Sequence, residues 1–155
     1  MSETVSGYYG KDHDRLDDLF KNYQTLKRSD FAKAKENFRD FKFGLQRHIV
    51  WEEQVLFPVF EKKTGMRLGP TEVMRKEHRL IGAFLEAIHQ KVKERDPNTD
   101  TEEANLLDVL GQHNRKEELI LYPAIDGSLD VGELEKVFAQ MTAIPPESYQ
   151  NCCSE

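Results

Sequence analysis

The sequence predicts an all-α protein: an antiparallel up-down-up-down four-helix bundle with a short fifth C-terminal helix. Apolar residues recur three and four positions apart in four successive segments, which is the period of a helix with one buried face. The sequence also aligns with itself at a shift of 65 residues. A repeat of this length indicates a duplicated helical hairpin, because one hairpin cannot bury its own apolar face.

Turn and cap residues set the expected bounds of each helix. The predicted spans are about 8–27, 30–63, 70–95, 100–126 and 131–141. Asp30 is a good N-cap, and Gly65 suits the residue that follows a helix. The bundle is assigned to residues 1–143, its repeat halves to about 8–63 and 73–126, and the C-terminal tail to residues 144–155.

Two prolines interrupt the helix pattern. Pro58 and Pro123 lie inside the second and fourth predicted helices, and each should kink its helix or end it early, because proline removes a backbone donor. The fourth helix carries an apolar stripe with the same three- and four-residue steps. The stripe comprises Leu106, Leu110, His113, Glu117, Ile120 and Ala124.

Composition and charge exclude several functions. The formal net charge is −6 and there is no basic stripe, which disfavours binding to nucleic acid. The longest apolar runs are too short to span a membrane, and the N-terminus has no secretory segment. We therefore expect a cytoplasmic protein, either a monomer or a weak homodimer, with no membrane or nucleic-acid partner.

A histidine followed by a glutamate four residues later occurs twice. The stretch HIVWEEQVLFP at 48–58 returns as HNRKEELILYP at 113–123, and the same shift pairs KDH at 11–13 with KEH at 76–78. Each of the four helices therefore carries one histidine on its apolar stripe, and two carry a glutamate one turn later on the same face. These residues are His13, His48, Glu52, His78, His113 and Glu117.

Such a polar set on buried stripes requires compensation, because desolvating an unpaired carboxylate is costly. Four imidazoles and two carboxylates are too many ligands for one tetrahedral zinc. They suit two metal ions, each held by two histidines, with both glutamates as bridges. Mixed imidazole and carboxylate ligands favour iron, with manganese as an alternative. A metal-free bundle of buried histidine–glutamate ion pairs is the competing interpretation.

Three further polar residues are placed outside this set. Glu53 and Glu118 also recur, but a step of five residues turns them off the histidine face. We expect them either to be solvated or to lie behind the ligands. His89 lies beside the stripe of the third helix and is expected at the surface.

The order of these motifs resembles the hemerythrin-like cation-binding domains over about residues 8–126. The resemblance implies the bundle described above and a non-haem di-iron centre with an oxo or hydroxo bridge. It implies that His13 and His48 hold one iron and that His78 and His113 hold the other. Glu52 and Glu117 would bridge the two irons.

Two departures from the oxygen-carrying members of that family bear on function. Those proteins have a fifth ligand histidine one turn before the position of His78, where this sequence has Met74, a poor ligand for hard iron. They also bridge with an aspartate five residues after the last histidine, whereas Glu117 follows His113 by four. The predicted function is binding or sensing of O₂ or NO. The alternative is a redox enzyme acting on O₂, peroxide or NO, in stress defence, iron–sulfur repair or ferrous-iron oxidation.

The two cysteines, Cys152 and Cys153, are adjacent in the predicted tail and cannot form a disulfide framework. Two interpretations stay open for them. They are either incidental thiols on a loosely held chain end or part of a redox or metal-passing tail.

Overall fold

The computed structural model describes residues 3–149, and the helices in this range follow the predicted order. Their bounds are α1 Val5–Leu26, α2 Phe31–Trp51, α3 Phe57–Thr64, α4 Pro70–Lys93, α5 Asp100–Lys116, α6 Tyr122–Ser128 and α7 Val131–Ala143. Two five-residue π-helical turns, Glu52–Leu56 and Glu117–Leu121, join α2 to α3 and α5 to α6. The bundle therefore consists of four long rods: α1, α2–α3, α4 and α5–α6.

Neighbouring rods run in opposite directions. Along α1 and the α5–α6 rod, Gln24 donates to Glu103 at one end, while the Val5 N–H donates to Asp126 at the other. Side-chain contacts near both ends show that α1 and α2 are also antiparallel, as are α4 and α5. The all-α up-down-up-down prediction is confirmed, and no β-strand occurs between residues 3 and 149.

Local signals in the sequence start and stop the helices. Asp30 accepts the Lys33 N–H and caps α2, as predicted. Gly65 ends α3 in the left-handed conformation with φ 75°, which glycine adopts without a steric penalty. Gly44 is required by close packing, because a Cβ there would lie 2.7 Å from Leu16 Cδ2.

The prolines neither break the rods nor end them. The Phe57 N–H donates to the Glu52 carbonyl and the Tyr122 N–H to the Glu117 carbonyl, which is the wider spacing of a π turn. Each π turn ends two residues before a proline, which lacks the ordinary α-helical donor. Neither proline ends its rod early, and each rod carries one inserted residue in the π turn; the predicted kink stays a prediction.

This insertion overturns the predicted stripe of the fourth helix beyond Glu117. One extra residue rotates the following helix by about 100° relative to the α-helical period. Ile120 is therefore 64% exposed and Ala124 is also exposed, whereas Leu121, Tyr122 and Ile125 are buried. The stripe predicted before the π turn, through His113 and Glu117, is buried as expected.

The polar residues predicted as ligands lie between two apolar clusters. One cluster packs α7 against the ends of the rods and includes Tyr9, Met74 and Leu121. The other fills the opposite half of the bundle and includes Leu16 and Ile81. The histidine level thus separates two hydrophobic cores, and both cores exclude water from it.

The described C-terminal residues pack onto the bundle. After α7, a 3₁₀ turn at Pro146–Tyr149 buries Tyr149, whose hydroxyl accepts a 2.9 Å hydrogen bond from the Trp51 indole. The domain boundary at residue 143 stays a prediction, and both cysteines lie outside the described residues. Among residues 3–149, no helix combines the length and apolar character that a membrane span requires.

Candidate metal centre

The two predicted glutamates occupy the middle of the bundle. Glu52 and Glu117 are completely buried, and each is the first residue of a π turn. The i, i+4 spacing places His48 Nε2 3.5 Å from Glu52 Oε2 and His113 Nε2 3.2 Å from Glu117 Oε1. Each carboxylate therefore faces the histidine of its own rod, as the sequence predicts.

Each glutamate also faces a histidine from another rod. The Nε2 atom of His78 lies 3.0 Å from Glu52 Oε1, and that of His13 lies 3.3 Å from Glu117 Oε1. All four histidines therefore direct Nε2 towards the glutamates and are at most 4% exposed. The structure brings all six predicted residues together at one level of the bundle.

The imidazoles form two pairs. The ring centroids of His13 and His48 are 4.7 Å apart, and those of His78 and His113 are 4.8 Å apart. Since Glu52 contacts one histidine from each pair, and Glu117 likewise, each carboxylate lies between the pairs. The nitrogen and oxygen atoms that could bind a metal form two groups, within each of which all atoms lie within 4.8 Å of one another. The first group comprises Glu52, His78, His113 and Glu117, and the second comprises His13, His48 and Glu117.

Several inward-facing atoms fit a metal better than a hydrogen-bond network. Glu52 Oε1, His78 Nε2 and both carboxylate oxygens of Glu117 are buried without a hydrogen bond of good geometry, although the imidazole nitrogens lie only 3.0–3.3 Å from these oxygens. Buried polar atoms without partners are costly, and a cation would satisfy all of them. Nitrogen and oxygen donors of this kind suit iron, manganese or zinc, and six residues exceed the ligand set of one tetrahedral ion.

A carboxylate lies behind every one of the four histidines. The Nδ1–carboxylate distances are 2.8 Å for His48 and Asp12, 2.5 Å for His78 and Glu53, 3.0 Å for His113 and Glu77, and 3.5 Å for His13 and Glu118. We call Asp12, Glu53, Glu77 and Glu118 the outer carboxylates. An ionised carboxylate can only accept, so Nδ1 of His48, His78 and His113 donates, and a neutral imidazole then directs its Nε2 lone pair to the centre. His13 Nδ1 makes no hydrogen bond to Glu118.

The outer carboxylates divide into residues that the sequence analysis considered and residues that it missed. Glu53 and Glu118 were expected to be solvated or behind the ligands; Glu53 is partly buried behind His78, whereas Glu118 is 44% exposed beside His13. Asp12 and Glu77 were missed. Their signal was present, because an acid directly precedes the first histidine of each half, at the same repeat position.

Without a metal, neighbouring carboxylates favour the protonated forms of His48 and His78. Burial opposes the charged imidazole, but neighbouring carboxylates outweigh it and raise the pKa of His48 to about 10 and that of His78 to about 9. Burial alone would raise the pKa of Glu52, but the charge of His48 and hydrogen bonds hold that pKa well below its usual value. A metal ion must displace the histidine protons, so its binding is expected to release protons.

Tyr122 is a further polar residue at the centre that the sequence analysis missed. Its buried hydroxyl donates a 2.6 Å hydrogen bond to Glu52 Oε2 and lies 3.1 Å from His48 Nε2 and 3.4 Å from His13 Nε2. Burial raises the pKa of Tyr122 well above its usual value, so the hydroxyl stays protonated. The repeat pairs Tyr122 with Phe57, an aromatic residue without a hydroxyl.

A groove between α1 and α5 lies beside one of the predicted ligands, His13. It holds about 620 Å³, and buried His13 lies in its lining beside the partly exposed outer carboxylate Glu118. Gly111 also lines the groove, and a Cβ on that residue would meet no atom within 4 Å. His89 lies elsewhere, partly exposed and stacked on Phe38 with ring centroids 6.3 Å apart, as expected for a residue outside the centre.

Comparison with known proteins places this site in a family. Residues 8–125 match the hemerythrin HHE cation-binding domain. The chain belongs to the hemerythrin family. Within this hemerythrin-like domain, the buried histidine–glutamate cluster could hold metal ions. The family prediction is confirmed, whereas the assignment of individual ligands stays a prediction.

One curated relative adds a further comparison. The hemerythrin-like chain is 30% identical over 91 residues to the iron-sulfur cluster repair protein YtfE of Edwardsiella ictaluri (strain 93-146). The matched segment covers 54% of this chain and 41% of that protein, so the chain spans less than half of the relative's length. No solved structure matches the chain.

Proposed function

We propose that the protein holds two iron ions between its four helices and uses them to bind or sense O₂ or NO. The observation that supports this most is the pairing of the histidines around shared glutamates. Each carboxylate faces one histidine of each pair: Glu52 faces His48 and His78, and Glu117 faces His13 and His113. Two ions, each on one pair, would satisfy every inward-facing donor.

In this proposal the protein residues have separate tasks. The Nε2 atoms would hold the ions, Glu52 and Glu117 would be shared between them, and Asp12, Glu53 and Glu77 fix the tautomers of three of the four imidazoles. Bound irons would supply exchangeable electrons and open coordination positions to O₂, NO or peroxide. The groove beside His13 supports access for such small molecules, because this predicted ligand lies in its lining.

Met74 favours a sensing or reactive centre over an oxygen store. It is buried and lies one turn before His78, at the position of the fifth ligand histidine of the oxygen-carrying members of the family. A thioether is a poor ligand for hard iron, so each ion would keep two histidines and the two glutamates as its protein ligands. Both positions then accept small ligands, which favours reaction over reversible storage.

A redox enzyme acting on O₂, peroxide or NO is the second candidate. It is supported by the partial similarity to a protein named for iron–sulfur cluster repair. Because the chain covers 41% of that relative, the activity of the whole relative comes to this chain only as a hypothesis. Manganese in place of iron is the corresponding alternative for the metal.

The metal assignment is tested by counting iron and manganese after anaerobic purification and reconstitution. We expect two irons per chain. His113→Ala should lose most of the bound iron, because it removes one nitrogen ligand and leaves Glu117 with one fewer partner. His89→Ala is the matched control and should retain both ions, since His89 lies outside the centre. Zinc as the only metal, or one ion per chain, would contradict the di-iron proposal.

The two functional candidates are distinguished by the absorption spectrum of the reduced, iron-loaded protein on exposure to O₂. Reversible binding predicts a ligand-dependent band that disappears under vacuum. Redox turnover predicts immediate oxidation of both irons with no reversible phase. We expect an oxygenated form that decays within minutes and that lasts longer in Met74→His, because the new imidazole can fill the position near His78. Reversible O₂ binding for many hours by the unmodified protein would contradict the preference for a reactive centre.

A further inference from the structure

The repeat makes the two halves of the centre similar, but one hydroxyl breaks that similarity. The Tyr122 ring packs against His13 with centroids 5.8 Å apart, and the Phe57 ring packs against His78 at 5.9 Å. The two aromatic rings therefore occupy equivalent places beside the two imidazole pairs. Only the ring beside His13 carries a hydrogen-bond donor.

The hydroxyl also distinguishes the two oxygens of one bridging glutamate. Tyr122 donates to Glu52 Oε2, which faces His48, and not to Glu52 Oε1, which faces His78. Within residues 3–149, Glu117 receives no hydrogen bond from a hydroxyl, and its Oε1 faces the imidazoles of His13 and His113. A hydrogen bond withdraws electron density from the oxygen that accepts it. An ion on the His13 and His48 side would therefore meet a weaker carboxylate donor than an ion on the other side.

A second tyrosine near the centre does not have this effect. Tyr9 packs its ring on His48 with centroids 5.0 Å apart, and the repeat pairs it with Met74. However, the Tyr9 hydroxyl donates to Met141 Sδ at 3.2 Å and is directed away from the glutamates. Tyr122 is thus the tyrosine whose hydroxyl reaches the inward-facing donors.

We propose that Tyr122 is a positioning residue that makes the two metal positions unequal, with the weaker carboxylate donor at the His13–His48 position. This proposal rests on the two-iron centre proposed above and adds a source of inequality that does not need a fifth histidine. It predicts that the inequality depends on the difference between residues 122 and 57. Removing the hydroxyl at one position, or adding one at the other, should reduce it.

The test uses iron-57 Mössbauer spectra of the full chain, reconstituted anaerobically with two ferrous ions. Wild type should give two distinct quadrupole doublets of equal area. Y122F removes the hydroxyl, and F57Y adds one at the equivalent place beside His78, where the repeat makes Glu117 its expected acceptor. Both variants should shift the doublets towards one another. The outer carboxylates are the same in all three proteins, so their own differences cannot cause a shift common to both variants.

The outcomes separate this inference from the proposal on which it rests. If the wild type binds fewer than two irons, the two-iron centre is wrong, and the proposal that its two metal positions are unequal is refuted as well. If the wild type binds two irons but neither variant moves the doublets, only the role of Tyr122 is overturned. If Y122F does not fold or load, F57Y retains Tyr122 and decides the question alone. Unchanged doublets in F57Y would then refute the inference.

Discussion

The outer carboxylates allow a graded prediction, because two of them occupy equivalent positions with different geometry. Glu53 and Glu118 are each the second residue of a π turn, and the repeat aligns them. The Glu53 carboxylate lies 2.5 Å from His78 Nδ1, whereas the Glu118 carboxylate lies 3.5 Å from His13 Nδ1 and is 44% exposed. Substitution by alanine changes the same backbone environment in both cases, so each variant is a control for the other.

The expected losses follow from these distances. Removing a carboxylate that fixes a ligand histidine typically lowers metal affinity about 10- to 100-fold, or about 1.4–2.8 kcal/mol. We expect Glu53→Ala to fall in this range, because it leaves the His78 Nδ1–H without its acceptor. A solvent-exposed ion pair contributes about 0–1 kcal/mol, so Glu118→Ala should weaken binding by about fivefold at most.

Anaerobic titration of ferrous iron against a competing chelator measures both affinities in one buffer. Gln54→Ala, at an exposed position of the same π turn, controls for a substitution in this segment that removes no outer carboxylate. Equal losses in Glu53→Ala and Glu118→Ala would refute the reasoning from geometry. A larger loss in Glu118→Ala would refute it more strongly.

Three further predictions concern stability and the tail. Gly111→Ala should raise the free energy of unfolding by about 0.5–1 kcal/mol, because the new Cβ meets no atom within 4 Å. Gly44→Ala should lower the free energy of unfolding, because the new Cβ clashes with Leu16. Urea unfolding measures both changes. The melting temperature of the metal-free protein should fall as the pH rises from 6.5 to about 10. Over this range His48 stays protonated in the folded state, where its pKa is raised, but not in the unfolded state. The melting temperature of a metal-loaded sample should not fall over the same range. Chains ending at Tyr149 and at Pro146 should both keep full iron content. The chain ending at Pro146 should unfold at a lower temperature, because it loses the Tyr149–Trp51 hydrogen bond. Loss of iron in either chain would assign the tail a role at the centre.

The repeat explains why so much of this architecture could be predicted from the sequence. Helix periodicity predicted the four rods, and the spacing of four residues from His48 to Glu52 predicted that both would share one face. The structure brings these residues together with their repeat partners. Such inferences succeed because they depend on the α-helical period, which is a local property of the chain.

Features that depend on departures from that period were not predicted. The π turns displaced the buried stripe from Ile120 to Leu121, which no α-helical pattern can show. They also bring Tyr122 into the core with its hydroxyl at the centre. Asp12 acts on His48, a residue of another rod, so its partner could not be deduced from spacing within one helix.

The central claim is that two metal ions lie between Glu52 and Glu117, one on each histidine pair. An anomalous difference map at the iron edge, from crystals of the iron-loaded protein, tests this claim most directly. Two peaks about 3.5–4 Å apart are expected, as is typical of two-metal centres. One peak should contact His13 and His48 through Nε2, and the other should contact His78 and His113. A single peak, or peaks away from either histidine pair, would contradict the account.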